Sequence, residues 1–410
     1  MSTPFHIYLD LEVRNDDTLN LGRPPPLSFE ETRTQPFLDG DASEYFCTIA
    51  RFTLQTGNSL PLFIPAIATS PSTVALPPIN GTLSQNITIY KISFVEQGGT
   101  PGVDKQIIQQ NVIYEPSNKT IPIPLPPTGQ GGQDLNSEYY YVRSYQDFIN
   151  MINKSLYYMD ASLPAPAPGV IRYNPPYMEW DHSTCTATLY ADAYYFDLNV
   201  NNPLTSTSAR GRRFEIYFDA RLYQLFSTLN ATYVGASYLG LTGFDYRLDM
   251  FGDMSNTVKT TLTDSTQIPI YNIALTQETS TIAVWSPVES IVFTSSSLPI
   301  HPSLSSTPKV LSAGEFSTTG NGTPNLANVL TDFQIAVSPT NQYRPEISYA
   351  PQGEYRLIDM FSNRNLSRVD LQVYWRDKQG NLRPLPLYPG CSASVKLLFR
   401  HKGFYLGMDM

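Results

Sequence analysis

Along much of this chain apolar residues recur at every second position, the period of a strand with one face in a core. In FCTIARFTL (46–54), Phe46, Thr48, Ala50, Phe52 and Leu54 fall on one side. In NITIYKISFV (86–95), Tyr90, Ile92 and Phe94 alternate with Ile89, Lys91 and Ser93. In VDLQVYW (369–375), Val369, Leu371, Val373 and Trp375 face one way, and Asp370, Gln372 and Tyr374 the other. SASVKLLFR (392–400) gathers Val395, Leu397 and Phe399 on one side. These last two segments read as a C-terminal hairpin, turned by RDKQGN (376–381).

Helical spacing occurs twice. SYQDFINMINKSLYYMD (144–160) places Phe148, Ile152, Leu156 and Met159 on one stripe, and Ser144 with Asp147 three residues later forms a capping box. DARLYQLFSTLN (219–230) places Leu222, Leu225, Phe226 and Leu229 on another, with Asp219 as the cap. AVWSPVESIVFTSSSLPIHP (283–302) reads as strand, break at Pro287, strand. The pattern as a whole predicts an all-β protein of antiparallel jelly-roll β-sandwiches, with one or two short helices.

The organisation follows from punctuation. Residues 1–44 contain RPPPLSFEETRTQPFLDGD, in which Pro24, Pro25 and Pro26 force an extended path. This segment is expected to be an extended arm that lies on a neighbour or wraps its own body. The polar stretch NNPLTSTSARGR (201–212) is the best mid-chain boundary. It predicts two sandwiches in tandem, 45–205 and 206–410. FTLQTGNSLPLFIP (52–65) and FTSSSLPIHP (293–302) echo each other faintly, as a tandem duplication would.

Composition sharpens this picture. The chain has 410 residues, 12% aromatic and only 15% charged, with 34 Pro and 27 Tyr. A charged fraction well below the usual quarter suits surfaces buried against other copies, since interface cores lose charge and gain Tyr and Phe. The formal net charge is −9, and no basic arm is present. Strong nucleic-acid binding is therefore not expected. No stretch approaches the length of a membrane helix, and the start MSTPFHIYLDLEV is not a secretion signal. Cys47, Cys185 and Cys391 are widely spaced, which argues against a disulfide framework or zinc site. They read as small buried residues.

Motifs of chemistry are absent. GxSxG, HExxH, GxxxxGK and GxGxxG do not occur, so no catalytic, cofactor-binding or metal residue is assigned. Asp245, Asp249 and Asp253 lie in FDYRLDMFGDMSN without calcium-loop spacing and read as a solvated acidic turn. The compact basic cluster Arg210, Arg212 and Arg213 reads as a strand-edge cluster or a contact for a neighbour's acidic loop.

Three stretches carry a resemblance. YFCTIARFTL followed by SLPLFIP, WSPVESIVFTSSSLPI, and VDLQVYWRDKQGNLRPLPLYPGCSASVKLLFRHK resemble capsid proteins of small eukaryotic DNA viruses and Polinton-like elements. The resemblance implies a jelly-roll subunit of the lineage that includes the adenovirus hexon. Members of that lineage often place two jelly rolls in one chain and form trimers. The length also fits one jelly roll with large insertions, as in a vertex or minor capsid protein. The expected function is that of a structural subunit of an icosahedral shell, not an enzyme, without cofactor. Expected partners are copies of itself, as trimer or pentamer, and other capsid proteins in a virion assembled in the host cytoplasm or nucleus. The alternatives are a fibre or receptor- or carbohydrate-binding β-sandwich protein, and a carbohydrate-active enzyme on a β-sandwich.

Overall fold

The structure, a computed structural model, describes residues 6–16, 25–55, 87–97, 106–113, 144–163, 174–192, 195, 213–235, 237–238, 241–250, 262–263, 269–270, 272–285, 288–301, 303–304, 310–312, 315–317, 326–334, 346–351, 356–377, 382–385 and 387–403. The expected boundary 201–212 and part of the 376–381 turn lie outside them. The chain divides into two compact units. The first gathers Met1–Pro61, Pro287–Ala336 and Tyr343–Met410, and the second Leu62–Ser286 with Val337–Gln342.

The first unit begins with β1 (His6–Arg14), β2 (Ser28–Thr32), a single 3-10 turn at Ala42–Glu44, and β3 (Tyr45–Gln55). The second unit then supplies β4 (Ile87–Gln97), β5 (Ile107–Ile113), α1 (Tyr145–Ala161), β6 (Tyr177–Asp181), β7 (Thr186–Asp192) and β8 (Arg213–Phe218). It continues with α2 (Ala220–Leu225), β9 (Ala231–Tyr233), the ladder of β10 (Ser237–Tyr238) with β11 (Leu241–Thr242), and β12 (Tyr246–Leu248). A small ladder of β13 (Leu262–Thr263) and β14 (Pro269–Ile270), then β15 (Asn272–Thr276) and α3 (Ile282–Trp285), complete it. The first unit resumes with β16 (Val288–Thr294), β17 (Ser303–Leu304), β18 (Val310–Ser312), β19 (Glu315–Ser317) and β20 (Leu326–Ala327). It ends with β21 (Val329–Gln334), β22 (Glu346–Tyr349), β23 (Ile358–Asp359), β24 (Arg368–Asp377), β25 (Leu382–Pro384) and β26 (Ser392–His401).

The first unit is one jelly roll. One sheet runs β1-β26-β3-β22 and the other β2-β24-β16-β21, with β23 added to β3 and β25 to β24. Successive strands change sheet at nearly every step, which is the jelly-roll winding. Leu9, Leu11, Phe52, Leu54, Val395, Leu397 and Phe399 of one sheet are buried, as are Phe29, Ile291, Phe293, Val369, Leu371, Val373 and Trp375 of the other. Phe52 meets Phe293 edge to face at 4.9 Å, so the two sheets share one interior.

The second unit has another order. A five-stranded antiparallel sheet runs β5-β4-β8-β12-β9, and a three-stranded one runs β15-β7-β6. Both sheets and all three helices contribute to one apolar cluster, from Tyr90, Ile92 and Phe94 through Phe148 and Phe214 to Trp285. Helix α1 has its capping box, with Asp147 N–H donating to Ser144 Oγ and Ser144 N–H to Asp147. Asn153 pins it to β6 by bonding Met178 N–H at 2.6 Å and Met178 C=O at 2.8 Å.

Several expectations are corrected here. The units do not follow one another in tandem split at 201–212. β4 pairs β8 across that boundary, and β3 pairs β26 across most of the chain, because pairing over the whole ladder outweighs sequence proximity. The echo segments do not mark two sandwiches, since β3 and β16 belong to one. Of the two expectations for residues 1–44, the described parts follow the chain's own body and not a neighbour, since β1 pairs β26 and β2 pairs β24. The expected C-terminal hairpin is not one, because β26 crosses to the opposite sheet after the Pro-rich return, and β24 turns back only on the short β25.

Local geometry explains three smaller differences. In β3 the inward side chains are Tyr45, Cys47 and Ile49, then Phe52 and Leu54. The pairing with β26 shifts between Lys396 and Leu397, leaving Ala50 as an extra residue, and this bulge switches the inward parity. Helix α2 stops at Leu225, whose carbonyl accepts from Trp285 Nε1 at 2.6 Å and from the Thr281 hydroxyl. That carbonyl is thereby drawn out of a continuing helix. Residues 282–285 form a helical turn that buries Ile282 and Trp285 together.

The inward face of β24 gives the first test. Trp375→Ala is expected to lower the stability of the first unit by about 3–5 kcal/mol in denaturant titration. Val373→Asp, placing an unpaired carboxylate in the core, is expected to abolish a soluble folded chain. A folded, cooperative Val373→Asp protein by circular dichroism would contradict this core.

Candidate functional site

The jelly roll leaves β1 and β22, and β2 and β21, at its sheet edges. On β1 the exposed residues are His6, Tyr8, Asp10, Glu12 and Arg14, alternating with the buried Leu9 and Leu11. Asp10 meets Lys396 of β26 at 3.3 Å and Arg51 of β3 at 3.8 Å, so one carboxylate links three strands across the outer face. Such exposed pairs add little stability, of order 0–1 kcal/mol. They give the face a fixed pattern of charge, which selects partners more than it binds them.

Loops are held by buried polar nodes. Asp370 lies on the side of β24 away from the core yet is buried. Its carboxylate accepts from Ser295 Oγ at 2.9 Å, Ser296 N–H at 3.0 Å, Ser296 Oγ at 2.5 Å and Ser297 N–H at 2.7 Å. Ser297 Oγ accepts from the Asp370 N–H. Burial opposes the charge, but the donors of Ser296, Ser297 and Ser295 outweigh it and lower its pKa to about 2. The SSS loop after β16 is thereby fastened to β24. At another corner, Lys402 Nζ reaches Ser43 C=O at 2.7 Å and Asp359 at 2.9 Å, tying the end of β26 to the 3-10 turn and β23.

The second unit carries its own nodes. Asp219 caps α2 and Asp245 bonds Ala220 N–H at 2.7 Å. Asp249 accepts from Arg247 at 3.1 Å and from the Thr232 hydroxyl at 2.6 Å. Asp245 and Asp249 are therefore fixed components and not the solvated turn expected, because backbone and Arg donors satisfy them; Asp253 lies outside the described residues. Tyr223 stacks on Tyr246 at 3.9 Å, and Tyr233 packs 5.2 Å from Tyr246 while remaining 65% exposed.

Of the residues singled out from sequence, Val369, Leu371, Val373 and Trp375 share the core of the first unit. Pro25 and Pro26 are exposed, and Pro25 C=O accepts from Leu387 N–H at 2.9 Å, so this segment lies along its own chain; Pro24 is outside the described residues. Arg210 and Arg212 are also outside them, and Arg213 of β8 is the backbone partner of Gln97 of β4. The Asp370 node was missed, although a Ser-Ser-Ser run and an acidic residue between core positions of a strand were its available signals. All three cysteines are buried, and burial pushes the Cys47 thiol up to about 12. Among the described residues no group of three metal-ligating side chains forms, and no helix is long and apolar enough to cross a membrane.

A jelly roll with patterned edges and fastened loops defines a structural protein that works by being packed. The comparisons specify which. The family model of the Sputnik minor capsid protein V18/19 matches residues 7–401. The chain is 29% identical over 223 residues to structural protein V19 of Sputnik virophage, covering 54% of this chain and 93% of the relative. It is 33% identical over 135 residues to the Sputnik virophage protein described as uncharacterized protein V18, covering 32% of this chain and 69% of that one. A chain of the cryo-EM structure of the Sputnik virophage superposes with a TM-score of 0.70 at 27% identity, covering 98% of this chain and 99% of that one. The mavirus penton protein shares the fold, with a TM-score of 0.56 at 16% identity and coverage of 96% and 99%. The chain belongs to the Sputnik minor capsid protein V18/19 family. It is a structural capsid subunit of the virion, not an enzyme, and assembles with other capsid proteins.

The Asp370 node makes a pH prediction. Its folded-state pKa lies below the unfolded value near 3.9, so its contribution is present above that value and lost as pH falls toward 2. Asp370→Asn sets an amide donor against serine donors and is expected to cost about 1–3 kcal/mol at pH 7. Denaturant titrations from pH 7 to 2.5 should show the wild-type advantage shrinking through the acid range.

Proposed function

We propose that this chain is a vertex subunit of an icosahedral capsid, working as a pentamer set among copies of the major capsid protein. The observation that carries the reading is the one jelly roll among the described residues, closed by strands from both ends of the chain and interrupted by 62–286 and, briefly, by 337–342. A chain with two jelly rolls makes a pseudo-hexagonal block as a trimer. A chain with one supplies a single wedge, and five wedges close around a fivefold axis. The fold shared with the mavirus penton protein supports this assignment. The minor-capsid family supports it too, since vertices are few in any shell.

Light scattering of the purified full chain, alone and with its major capsid protein, tests the proposal. The expected mass is five times that of the 45.9 kDa chain, with fivefold rings in negative stain. A trimer overturns the reading. So does a chain that stays monomeric in both conditions.

A further inference from the structure

The small sheet β15-β7-β6 of the second unit has two unlike faces. One is packed: Met178, Trp180, Leu189 and Leu275 enter the apolar cluster. The residues between them point the other way and fall into rows across the strands. Ala274 of β15, Tyr190 of β7 and Tyr177 of β6 are register partners in one row. Thr276, Thr188 and Glu179 make the next. An aromatic row thus runs beside a polar one on a single face.

Both rows are fixed in place. The Tyr177 and Tyr190 rings lie 5.1 Å apart, centroid to centroid, with their planes at 16°. Ala274 adds only a methyl group to their row. Glu179 accepts from the Tyr190 hydroxyl, and the Thr188 and Thr276 hydroxyls bond each other at 3.0 Å. Strand β6 is held from α1, where Asn153 takes both the N–H and the C=O of Met178. Tyr177, Tyr190 and Thr188 are half-buried, while Glu179 and Thr276 are exposed. The polar row keeps spare capacity, since a carboxylate offers about four acceptor sites and each hydroxyl a donor and two lone pairs.

Ring faces beside spare donors and acceptors match a ligand with a flat C–H face and hydroxyls around its rim, which is the chemistry of a pyranose. The charges on this face are the carboxylates of Glu179 and Asp181, and β6, β7 and β15 contain no Lys, Arg or His. An anionic ligand would meet only like charge. We infer that the outward face of β15-β7-β6 binds a neutral oligosaccharide, with a pyranose ring against the Tyr177–Tyr190 pair and its hydroxyls bonded to Glu179, Thr188 and Thr276. The inference is independent of how many subunits surround a vertex. The face is open and not a deep pocket, so each site binds weakly, and repetition over a shell supplies the strength.

Saturation-transfer NMR on the full-length chain tests this, with β-glucan, chitin and mannan oligosaccharides as probes and one sialylated oligosaccharide beside them. Transfer to at least one neutral probe is expected, strongest at its ring C–H protons, with none to the sialylated one. Tyr177→Ala is expected to weaken that binding roughly tenfold. Thr188→Val keeps the side-chain shape and removes the hydroxyl, and is expected to weaken it about fivefold with an unchanged thermal midpoint. Absence of transfer to every neutral probe overturns the inference, and so does binding that survives both substitutions. It also fails if Tyr177→Ala lowers the mass of an oligomer in light scattering and no probe competes for the face, which is then a protein contact. Should Tyr177→Ala not fold, Thr188→Val decides.

Discussion

The pairing of β26 between β1 and β3 is the constraint on which the first unit rests. Every residue of β1 from His6 to Arg14 has its partner between Arg400 and Ser392. The same strand pairs β3 from Ala393↔Leu54 to His401↔Tyr45. Without β26 the sheet falls into an isolated β1 and a β3 fragment, and the inward Val395, Leu397 and Phe399 are withdrawn from the core. The contacts that define the unit are therefore nearly all distant in sequence, which predicts slow closure. Between β3 and β16 the chain makes a long excursion, and such a loop is tolerated because closure entropy grows only slowly with length. The excursion also folds upon itself: Tyr90 and Ile92 of β4, near its start, share one apolar cluster with Trp285 of α3, near its end.

The parts legible in the sequence were those fixed by neighbours a few residues away. The capping box of α1 was readable because Ser144 and Asp147 satisfy each other within one turn. The inward face of β24 was readable because its alternation is unbroken over seven residues. Sheet membership was not readable, since alternation states which side chains face inward and not which strand lies alongside. Hence β24 and β26, separated only by the short β25 and a Pro-rich return, looked like a hairpin although they lie in opposite sheets. The parity of β3 failed at Ala50 because a bulge is a property of a pair of strands. Helix α2 looked longer than it is because the side chains that take the Leu225 carbonyl come from 281 and 285, far along the chain.

Function in such a protein is distributed over its surfaces. Tyr and Thr replace Lys and Glu through much of the sequence, and Asp10 of β1 pairs across strands with Arg51 of β3 and Lys396 of β26. Polar groups that are buried hold loops by several donors each, as Asp370 does with three consecutive serines. A capsid subunit needs loops that stay where they are, and charge-assisted hydrogen bonds in a low-dielectric setting provide this more firmly than apolar contact at a loop.

The position of β26 also sets a clock. During synthesis, β1, β2 and β3 leave the ribosome early and wait while the whole second unit is made, since domains generally fold as units as they emerge. Ser392–His401, the strand that pairs both β1 and β3, is made only after that unit and after β24, the partner of β2. A nascent chain, or one cut short before residue 392, presents no finished sandwich to a growing shell. The first sandwich therefore closes only once β26 has been made, since without it β1 loses its partner and β3 one of its two sides.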